Sequence, residues 1–326
     1  MNISEDNKLR FFDFKSKDTY SKWISNYKCW LSNQNEQTEC ADSVLSYIIF
    51  LSEDYAASSL WTIYSILNKY FKVYLSTNLK DCTLLQDFLK KQDKQHLVKK
   101  SKVLSKDNIA DFLNLEDTDT IIVAKVALVI GIHGLLRISE ITDLKFDNVE
   151  KKDDHYIIFI EKSKTDQAKK GFQFFVQGDH VAVIDKYINL FISEERKGRF
   201  FRSISRGKGS RKVCGKNVIG KFPFLIASTL NLNDSKEFTG HCFRRTGATL
   251  IADSGVDKIT LKRAGRWKSD SVCDGYIEES SSSKLSISKA VCSDNKNVQN
   301  VQKNASNLNV YNINGCSGVT LNFYNQ

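Results

Sequence analysis

The sequence lacks the features that identify a membrane or secreted protein. No run of apolar residues approaches the length needed to cross a bilayer, and the first residues, MNISEDNKLRFFDFKSK, lack the apolar core of a signal peptide. The eight cysteines are scattered and none forms a CxxC pair, so a structural zinc site is not supported. No internal repeat is found. We therefore expect free thiols in a reducing compartment and no membrane association.

The chain does contain a large apolar fraction and an excess of positive charge. Hydrophobic residues make up 41% and aromatic residues 11% of its 326 residues, which is typical of a globular protein with room for two packed domains. The formal net charge is +10. An excess of this kind indicates a polyanionic partner, nucleic acid before an anionic membrane surface.

The composition changes along the chain and predicts four segments. Residues 18–90 are predicted to be helical and form the first domain. Residues 91–107 are polar and strongly basic, and we predict a linker there. Residues 108–290 form the second domain, and 291–326 a polar linker with a C-terminal β-hairpin tail. In the first domain one helical stripe is apolar: Leu60, Ile63, Leu67, Tyr70, Phe71 and Tyr74.

The second domain is predicted to combine helices with a small sheet. Residues 124–136, AKVALVIGIHGLL, are apolar nearly all round and indicate a buried helix. HYIIFIE and FQFFVQG flank the polar stretch KSKTDQAKKG and predict two strands of a hairpin. Residues 181–191 return to helix, and three helices follow Thr239, which is expected to cap the first, with Gly255 ending it and Ser269 capping the last. The predicted fold class is mainly α with a small β-sheet and hairpins.

Two basic stretches are candidate DNA contacts. A charge run such as the predicted linker is about equally compatible with solvated surface and with a phosphate backbone. Residues 196–221 contain ten Lys or Arg residues among 26 positions, together with five glycines. That density predicts loop and strand that face solvent or DNA rather than packed structure. The candidate contacts are Lys99, Lys100, Lys102, Arg202, Arg206, Lys208, Arg211, Lys212 and Arg245.

A histidine, two arginines and a tyrosine are candidates for an anion-binding site with a nucleophile. His241 and Arg244 are at i and i+3, so they would project from one helix face. Arg137 follows a buried apolar helix, where a charge needs a ligand or a partner, and an ion pair with Glu140 is the simpler alternative. Two guanidinium groups and an imidazole that converge would match the oxygens of a phosphate. Arginines there would also stabilise the phenolate of Tyr276, although a lone tyrosine is more often a packing residue.

The order and spacing of these residues resemble the tyrosine recombinase (phage integrase) family. Arg137 is followed by a lysine in a hairpin turn, by His241-x-x-Arg244, by Trp267 23 residues later, and by Tyr276 after nine more. The helical first domain resembles the family's core-binding domain, which clamps DNA together with a mixed α/β catalytic domain. The phrases TGHCFRRTGATLIADSGVD and LKRAGRWKSDSVCDGYIE are most similar to eukaryotic Crypton-type recombinases, found as mobile elements and as genes derived from them.

The resemblance implies a role for each catalytic residue. Arg137 and Arg244 would bind the non-bridging oxygens of the scissile phosphate, and His241 would hydrogen-bond it and assist proton transfer. Trp267 stands where most members carry a second histidine, and its indole N–H can still donate to the phosphate. Tyr276 would attack the phosphorus to give a 3′-phosphotyrosyl link and a free 5′ hydroxyl. Because that link keeps the bond energy, the resemblance implies no metal, no ATP and no other cofactor.

The resemblance, which spans about residues 18–290, also implies a general acid. Lys164 in the turn SKTDQAKKG would protonate the leaving 5′ oxygen. Lys162, Lys169 and Lys170 are alternatives, but Lys-Thr-Asp matches the family's pattern best.

Two positions near Arg137 complete the comparison with the family. Glu140 matches an acidic position that supports the first arginine. The family commonly shows Gly-Leu-Arg, whereas Gly134-Leu135-Leu136-Arg137 has one extra residue, which is expected to shift Arg137 slightly.

The resemblance predicts site-specific recombination of double-stranded DNA, with two alternatives. A type IB topoisomerase uses a similar catalytic set, and a transposon-derived DNA-binding protein could retain the pocket without its chemistry. Family members pass a C-terminal segment to a neighbouring subunit and act as tetramers on paired DNA sites. Self-association through residues 310–323 is therefore expected, with folding of that segment onto its own domain as the alternative. If the origin is eukaryotic, the expected location is the nucleus, and otherwise the cell interior.

Overall fold

The computed structural model of the protein describes residues 11, 17–34, 38–95, 100–161 and 171–292. The chain divides into two compact units, Met1–Lys99 and Lys100–Gln326. The described residues are mainly helical with two small antiparallel sheets, which is the predicted fold class. Their cysteines are all free thiols, as predicted. None of the helices in these ranges is long and apolar enough to cross a membrane.

The described part of the first unit contains four helices around an aromatic core. They are α1 (Lys17–Asn33), α2 (Ala41–Leu51), α3 (Ala57–Tyr74) and α4 (Thr83–Gln95), with a 3-10 turn at Leu79–Asp81. The stripe predicted on α3 is buried except for the partly buried Tyr74, and Leu60, Leu67 and Phe71 are completely inaccessible. Tyr27 of α1 is equally buried and its hydroxyl lies 2.7 Å from that of Ser43. The apolar periodicity of the sequence thus identifies this core.

The basic stretch predicted as a linker, residues 91–107, is partly packed. The helix α4 continues through it as far as Gln95, and α5 (Lys106–Asn114) begins before it ends. Leu104 is 2% exposed, and its main-chain N–H donates to the hydroxyl of Thr246 at 3.0 Å. This apolar side chain attaches the end of the basic stretch to the second unit, so the unit begins earlier than composition alone indicated.

The second unit surrounds one buried helix, α6 (Asp119–His133). Every residue of α6 from Ile122 to Ile132 is buried, as the apolar run predicts. Short 3-10 turns lie at Phe146–Asn148, Ser193–Glu195 and Ser235–Glu237. The remaining elements are α7 (Ile138–Asp143), β1 (Val149–Lys151), β2 (His155–Ile160), β3 (Phe172–Gln177), α8 (His180–Ile188), β4 (Arg202–Ser205), β5 (Lys208–Val213), α9 (Lys216–Ile219), α10 (Phe222–Thr229), α11 (Cys242–Asp253), α12 (Lys258–Gly265), α13 (Asp270–Glu279) and α14 (Ser281–Cys292).

The three-stranded sheet has the antiparallel order β1-β2-β3. The pairing of β2 with β3 places Ile157 opposite Phe175 and Ile160 opposite Phe172, so the predicted hairpin is confirmed. The turn between these strands, residues 162–170, lies outside the described residues. The second sheet is the hairpin β4–β5.

The prediction that residues 196–221 are too charged to pack is wrong in part. Phe200 and Phe201 are completely buried. Arg202 is only 9% exposed, and its guanidinium lies 5.2 Å from the centre of the Phe146 ring. That guanidinium also donates to three main-chain carbonyl groups. Arg202 is therefore a structural residue and not the predicted DNA contact, because the two phenylalanines beside it bury the start of β4.

The ends of the last helices correct one predicted cap and confirm another. Thr239 does not cap α11, because the helix begins only at Cys242 and His241 occupies the capping position. Gly255 has a φ of +79° just beyond its end, as predicted. Ser269 caps α13 by accepting the main-chain N–H of Ser271 at 3.3 Å. His241 thus precedes the helix that carries Arg244 and is exposed.

Candidate active site

Arg137 lies at the start of α7 and is held there by Glu140. The main-chain N–H of Arg137 donates to Oε2 of Glu140 at 2.9 Å, and its Nη1 donates to Oε1 at 2.9 Å. The Glu140 side chain is 4% exposed, whereas that of Arg137 is 22% exposed. The ion pair that the sequence offers as the simpler alternative is therefore present. It orients the arginine without burying it, so it is compatible with anion binding.

The turn before Arg137 contains a leucine in a left-handed conformation. Leu135 has a φ of +46°, in the left-handed region that favours glycine and that costs another residue about 1–2 kcal/mol. Leu136 is buried, and its N–H donates to the carbonyl of Gly131 at 3.0 Å. A leucine thus holds this unfavourable conformation directly before Leu136 and Arg137. The shift of Arg137 that is expected from one extra residue relative to Gly-Leu-Arg stays a prediction.

Arg244 is buried on α11 and faces the same turn. Its Nη1 donates to the carbonyl of Leu135 and its Nη2 to the carbonyl of Gly265. Burial lowers the pKa of Arg244 to about 10, and the positive charge of Arg137 adds to this effect. Glu140 and Tyr276 act in the opposite direction. The guanidinium therefore remains charged at neutral pH. Two carbonyl groups fix its orientation before any ligand arrives.

Trp267 and Tyr276 are stacked beside Arg244. Their ring centres are 5.1 Å apart with an angle of 21° between the planes, and the Arg244 guanidinium lies 5.3 Å from the Trp267 ring. A Cβ on Gly265 would come within 2.4 Å of the Trp267 ring, so the tryptophan can lie here only against a glycine. Tyr276 projects from α13 and is partly buried. The structure thus brings together Arg137, Arg244, Trp267 and Tyr276, as predicted from their order.

Arg266 belongs to this site and was missed by the sequence analysis. Its Nη2 donates to Oε2 of Glu140 at 3.3 Å and to the carbonyl of Leu135 at 3.1 Å. Burial lowers the pKa of Arg266 to about 10, which leaves it charged at neutral pH. The sequence contains 48 Lys and Arg residues, and only the position of Arg266 between Gly265 and Trp267 distinguishes it from the others. That position does not indicate which groups it contacts.

Among the described residues of this site, guanidinium groups outnumber carboxylates. Arg137, Arg244 and Arg266 bring three guanidinium groups together, and Glu140 supplies one carboxylate. Buried charges are stabilised by partners of opposite sign, so these four groups favour a bound anion. Guanidinium groups match phosphate oxygens in geometry as well as in charge.

Some of the other predicted site residues lie outside the described residues. Lys164 and Lys99 are outside them, so their predicted roles stay predictions. Lys102 is bound within its own unit, because its Nζ lies 2.7 Å from Oδ2 of Asp234. Arg245, next to Arg244 on α11, is partly buried. The exposed members of the predicted DNA contacts are Lys100, Arg206, Lys208, Arg211 and Lys212.

No group of three or more His, Cys, Asp or Glu side chains is placed to bind a metal ion in the part of the chain that the structure describes.

The chain belongs to the phage integrase family, whose pattern it matches over residues 102–282, more than half of its length. A curated relative, the integrase/recombinase xerD homolog of Selenomonas ruminantium, is 28% identical over 165 residues, which are 48% of this chain and 47% of the relative. The chain therefore spans about half the length of that relative.

Three solved structures show the same fold. The XerH site-specific recombinase in its post-cleavage complex with palindromic difH has a TM-score of 0.60 and 13% identity, covering 84% of this chain and 79% of that one. The Tn1549 transposon integrase in complex with transposon right end DNA has a TM-score of 0.59 and 12% identity, covering 88% and 98%. A lambda integrase dimer bound to a COC′ core site has a TM-score of 0.54 and 14% identity, covering 82% and 89%.

Proposed function

We propose that the protein is a site-specific recombinase or integrase that cleaves and rejoins double-stranded DNA through Tyr276. The observation that carries this proposal is the cluster of Arg137, Arg244 and Trp267 with that tyrosine. The cluster has more positive than negative charge and contains one hydroxyl that can act as a nucleophile. A scissile phosphate is the ligand that uses both properties.

The proposed reaction is a transesterification at phosphorus. The phenolic oxygen of Tyr276 forms a bond to phosphorus as the bond to the 5′ oxygen breaks, and the arginines stabilise the charge that builds on the non-bridging oxygens. Lys164 is proposed to protonate the leaving 5′ oxygen, and His241 to assist proton transfer. Attack by a 5′ hydroxyl on the phosphotyrosyl link reverses these steps and restores the phenol. The sequence of steps consumes no metal, ATP or other cofactor.

Preorganisation of Arg244 supports this chemistry. Its two terminal nitrogens are held by the carbonyl groups of Leu135 and Gly265, and a guanidinium has five N–H groups. The arginine can therefore keep these contacts and still donate to a phosphate. Groups that do not reorganise during the reaction stabilise a transition state most effectively.

The hairpin β4–β5 is the proposed contact to DNA outside the active site. Arg206 and Lys208 at its turn and Arg211 and Lys212 on β5 are all exposed. Contacts of this kind would neutralise phosphates without reading sequence, so binding should weaken steeply as salt rises. The exposed Lys100 is proposed to add to them.

The origin proposed for the protein is a Crypton-type mobile element or a gene derived from one, with a nuclear location if the source is eukaryotic. The phrases around His241 and Trp267 support this assignment. A DNA recombinase of a eukaryotic element must reach chromosomal DNA.

A nicked suicide substrate, from which the short fragment downstream of the cleavage site diffuses away, tests the proposed reaction. We expect a covalent protein–DNA adduct that survives SDS, and joined products when a second DNA with a free 5′ hydroxyl is added. Relaxation of supercoiled DNA without strand exchange would instead indicate a type IB topoisomerase. Tight binding with no adduct would indicate a DNA-binding protein without the chemistry.

We also propose that the protein self-associates on DNA, as a tetramer on paired sites. The second unit has an open apolar groove of about 430 Å³ between α5, α6 and α11, lined by Ile109, Leu113, Ile132 and Leu250 among others. The helix α14, which precedes the C-terminal segment in the sequence, exposes three apolar side chains: Leu285, Ile287 and Val291. We propose that the C-terminal segment of a second copy occupies the groove.

Truncation after Ser293 tests this assembly. The truncated chain should bind DNA as a monomer with much weaker strand exchange, since it lacks the alternating apolar residues 310–323. Light scattering of both proteins on DNA measures the mass per site. Equal masses for the full and the truncated protein would rule out assembly through this segment.

A further inference from the structure

The guanidinium of Arg266 has all of its terminal N–H groups occupied by the protein. Its Nη1 donates to the carbonyl groups of Gly134 at 3.0 Å and Ala264 at 3.1 Å. Its Nη2 donates to the carbonyl of Leu135 and to the carboxylate of Glu140. The remaining Nε is buried and has no hydrogen-bond partner among the described residues. Arg266 therefore has no terminal donor for a phosphate, in contrast to the role proposed for Arg137.

The plane of this guanidinium is fixed by an aromatic ring as well. Its central carbon lies 3.6 Å from the centre of the Phe172 ring, a cation–π contact at close range. Phe172 is the first residue of β3, and the stretch that contains Lys164 directly precedes this strand in the sequence. One side chain thus contacts the turn before Arg137 and the strand after the proposed general acid. Arg266 itself is the residue before Trp267.

The turn at Leu135 requires such support. The left-handed conformation is unfavourable for leucine, and the carbonyl that it directs into the site would be a buried polar group without its donors. That carbonyl accepts from both Arg244 and Arg266. Since Arg137 follows only two residues later, the position of its backbone depends on this turn.

Glu140 is shared between two arginines, which affects the charge that Arg137 offers. Oε1 accepts from Arg137 at 2.9 Å and Oε2 lies 3.3 Å from Nη2 of Arg266. If Arg266 were absent, one of the positive charges that share this carboxylate would be lost, and more of its negative charge would act on Arg137. With Arg266 present, part of the negative charge is compensated elsewhere, and Arg137 keeps more of its positive charge for a ligand.

We propose that Arg266 is a positioning residue that acts through Arg137: it clamps the Leu135 turn and shares the Glu140 carboxylate. The effect of Arg266 on catalysis rests on the proposed function, whereas its effect on the structure of the Leu135 turn does not. Three variants separate the two. Arg266→Met removes the charge and every donor but keeps an unbranched side chain. Arg266→Lys keeps the charge without the planar fork. Arg263→Met, at an exposed position of α12, is the matched control.

The first measurement is hydrogen exchange of the main-chain amides at residues 135–137, without DNA. Arg266→Met should accelerate exchange at Leu136, whose N–H is bound to the Gly131 carbonyl, by about tenfold, because the turn opens more often. The control should match the wild type. Unchanged exchange in Arg266→Met would overturn the clamp, whether or not the protein cleaves DNA.

The second measurement is the single-turnover rate of adduct formation on the suicide substrate, with DNA affinity measured in parallel. Arg266→Met should lower the rate by about tenfold or more while the Kd stays within about threefold, since it removes positioning and no phosphate contact. Arg266→Lys should recover part of the rate, and it replaces the Met variant if that protein does not fold.

Coupling to Arg137 decides whether the effect is one of positioning. In an Arg137→Lys background, Arg266→Met should cost less than about threefold further, because the residue through which it acts is already impaired. An equal loss in both backgrounds, or a wild-type rate for Arg266→Met, would overturn the proposal. If the wild-type protein forms no adduct, the proposed function fails, and the exchange measurement still decides the clamp.

Discussion

A methyl group added at Gly247 should separate α11, which carries Arg244, from the buried helix α6, which precedes Arg137 in the chain. Gly247 lies on α11, one turn after Arg244, and α11 crosses α6 there. A Cβ at Gly247 would lie 2.2 Å from the carbonyl oxygen of Ile132 and 3.0 Å from its carbonyl carbon. These are main-chain atoms of α6, so they cannot move aside by a change of rotamer. The Gly247→Ala substitution must therefore push α11 away from α6.

The expected cost is the difference between two opposing contributions. Alanine inside a helix is more favourable than glycine by roughly 0.5–1 kcal/mol, because the unfolded chain loses less entropy. Overpacking of a core costs typically about 1–3 kcal/mol, and contact with rigid backbone places Gly247→Ala at or above the upper end. We expect a net loss of about 2 kcal/mol in the free energy of unfolding. For a unit of this size that lowers the Tm by roughly 4–8 °C.

Gly275→Ala is the matched control. Gly275 lies in the helix α13, and an added Cβ would have no atom within 4 Å. It should gain roughly 0.5–1 kcal/mol and raise the Tm by about 1–4 °C. Thermal unfolding of the three proteins without DNA measures both changes. A Gly247→Ala variant that melts at or above the wild-type temperature would refute the close helix crossing on which the arginine geometry depends.

Three further predictions concern chemistry, binding and pH. Replacing Arg137 or Arg244 by lysine should slow adduct formation by about a hundredfold and change the DNA affinity by less than about threefold, because lysine lacks the two-pronged contact; equal losses in rate and affinity would contradict this. EDTA should leave cleavage unchanged, and affinity should fall steeply with salt; a requirement for magnesium or a flat salt dependence would oppose the account. Burial lowers the pKa of His133 to about 4, and the neighbouring His180 ring adds to the effect. Nδ1 of His180 lies 2.8 Å from Nε2 of His133. The unfolded chain then binds this proton more tightly than the native protein, so stability should fall as the pH drops from about 6.5 towards 4. Denaturant midpoints at several pH values should show the fall in the wild type and a weaker one in His133→Gln; equal slopes would contradict the assignment.

Much of the fold was predictable because apolar periodicity reports burial directly. The stripe on α3, the buried helix α6 and the hairpin β2–β3 follow from the spacing of apolar residues alone. The arginine pair and Tyr276 were predictable because a family pattern links residues that are distant in the sequence. Thr239 was misjudged as a cap because its side chain is suited to that role, although the helix begins three residues later.

Long-range polar contacts were beyond prediction from the sequence. Arg202 and Arg266 look like the other basic residues of a basic chain, and only their positions in the fold show that they are buried against aromatic rings. The left-handed conformation of Leu135 is likewise invisible, since leucine gives no signal for it. The partners of the two arginines are carbonyl groups and aromatic rings from other elements. The composition gives the number of charged residues but not their positions in the fold.

The most direct test of the proposed chemistry compares the wild type with Tyr276→Phe on the suicide substrate. The substitution removes one hydroxyl and leaves the ring that stacks on Trp267, so DNA affinity should stay within about threefold. We expect the wild type to form an SDS-stable adduct with the DNA 3′ end attached to the peptide that contains Tyr276, and the Phe variant to form none. An adduct of equal yield in Tyr276→Phe, or one mapped to another residue, would contradict the assignment of the nucleophile.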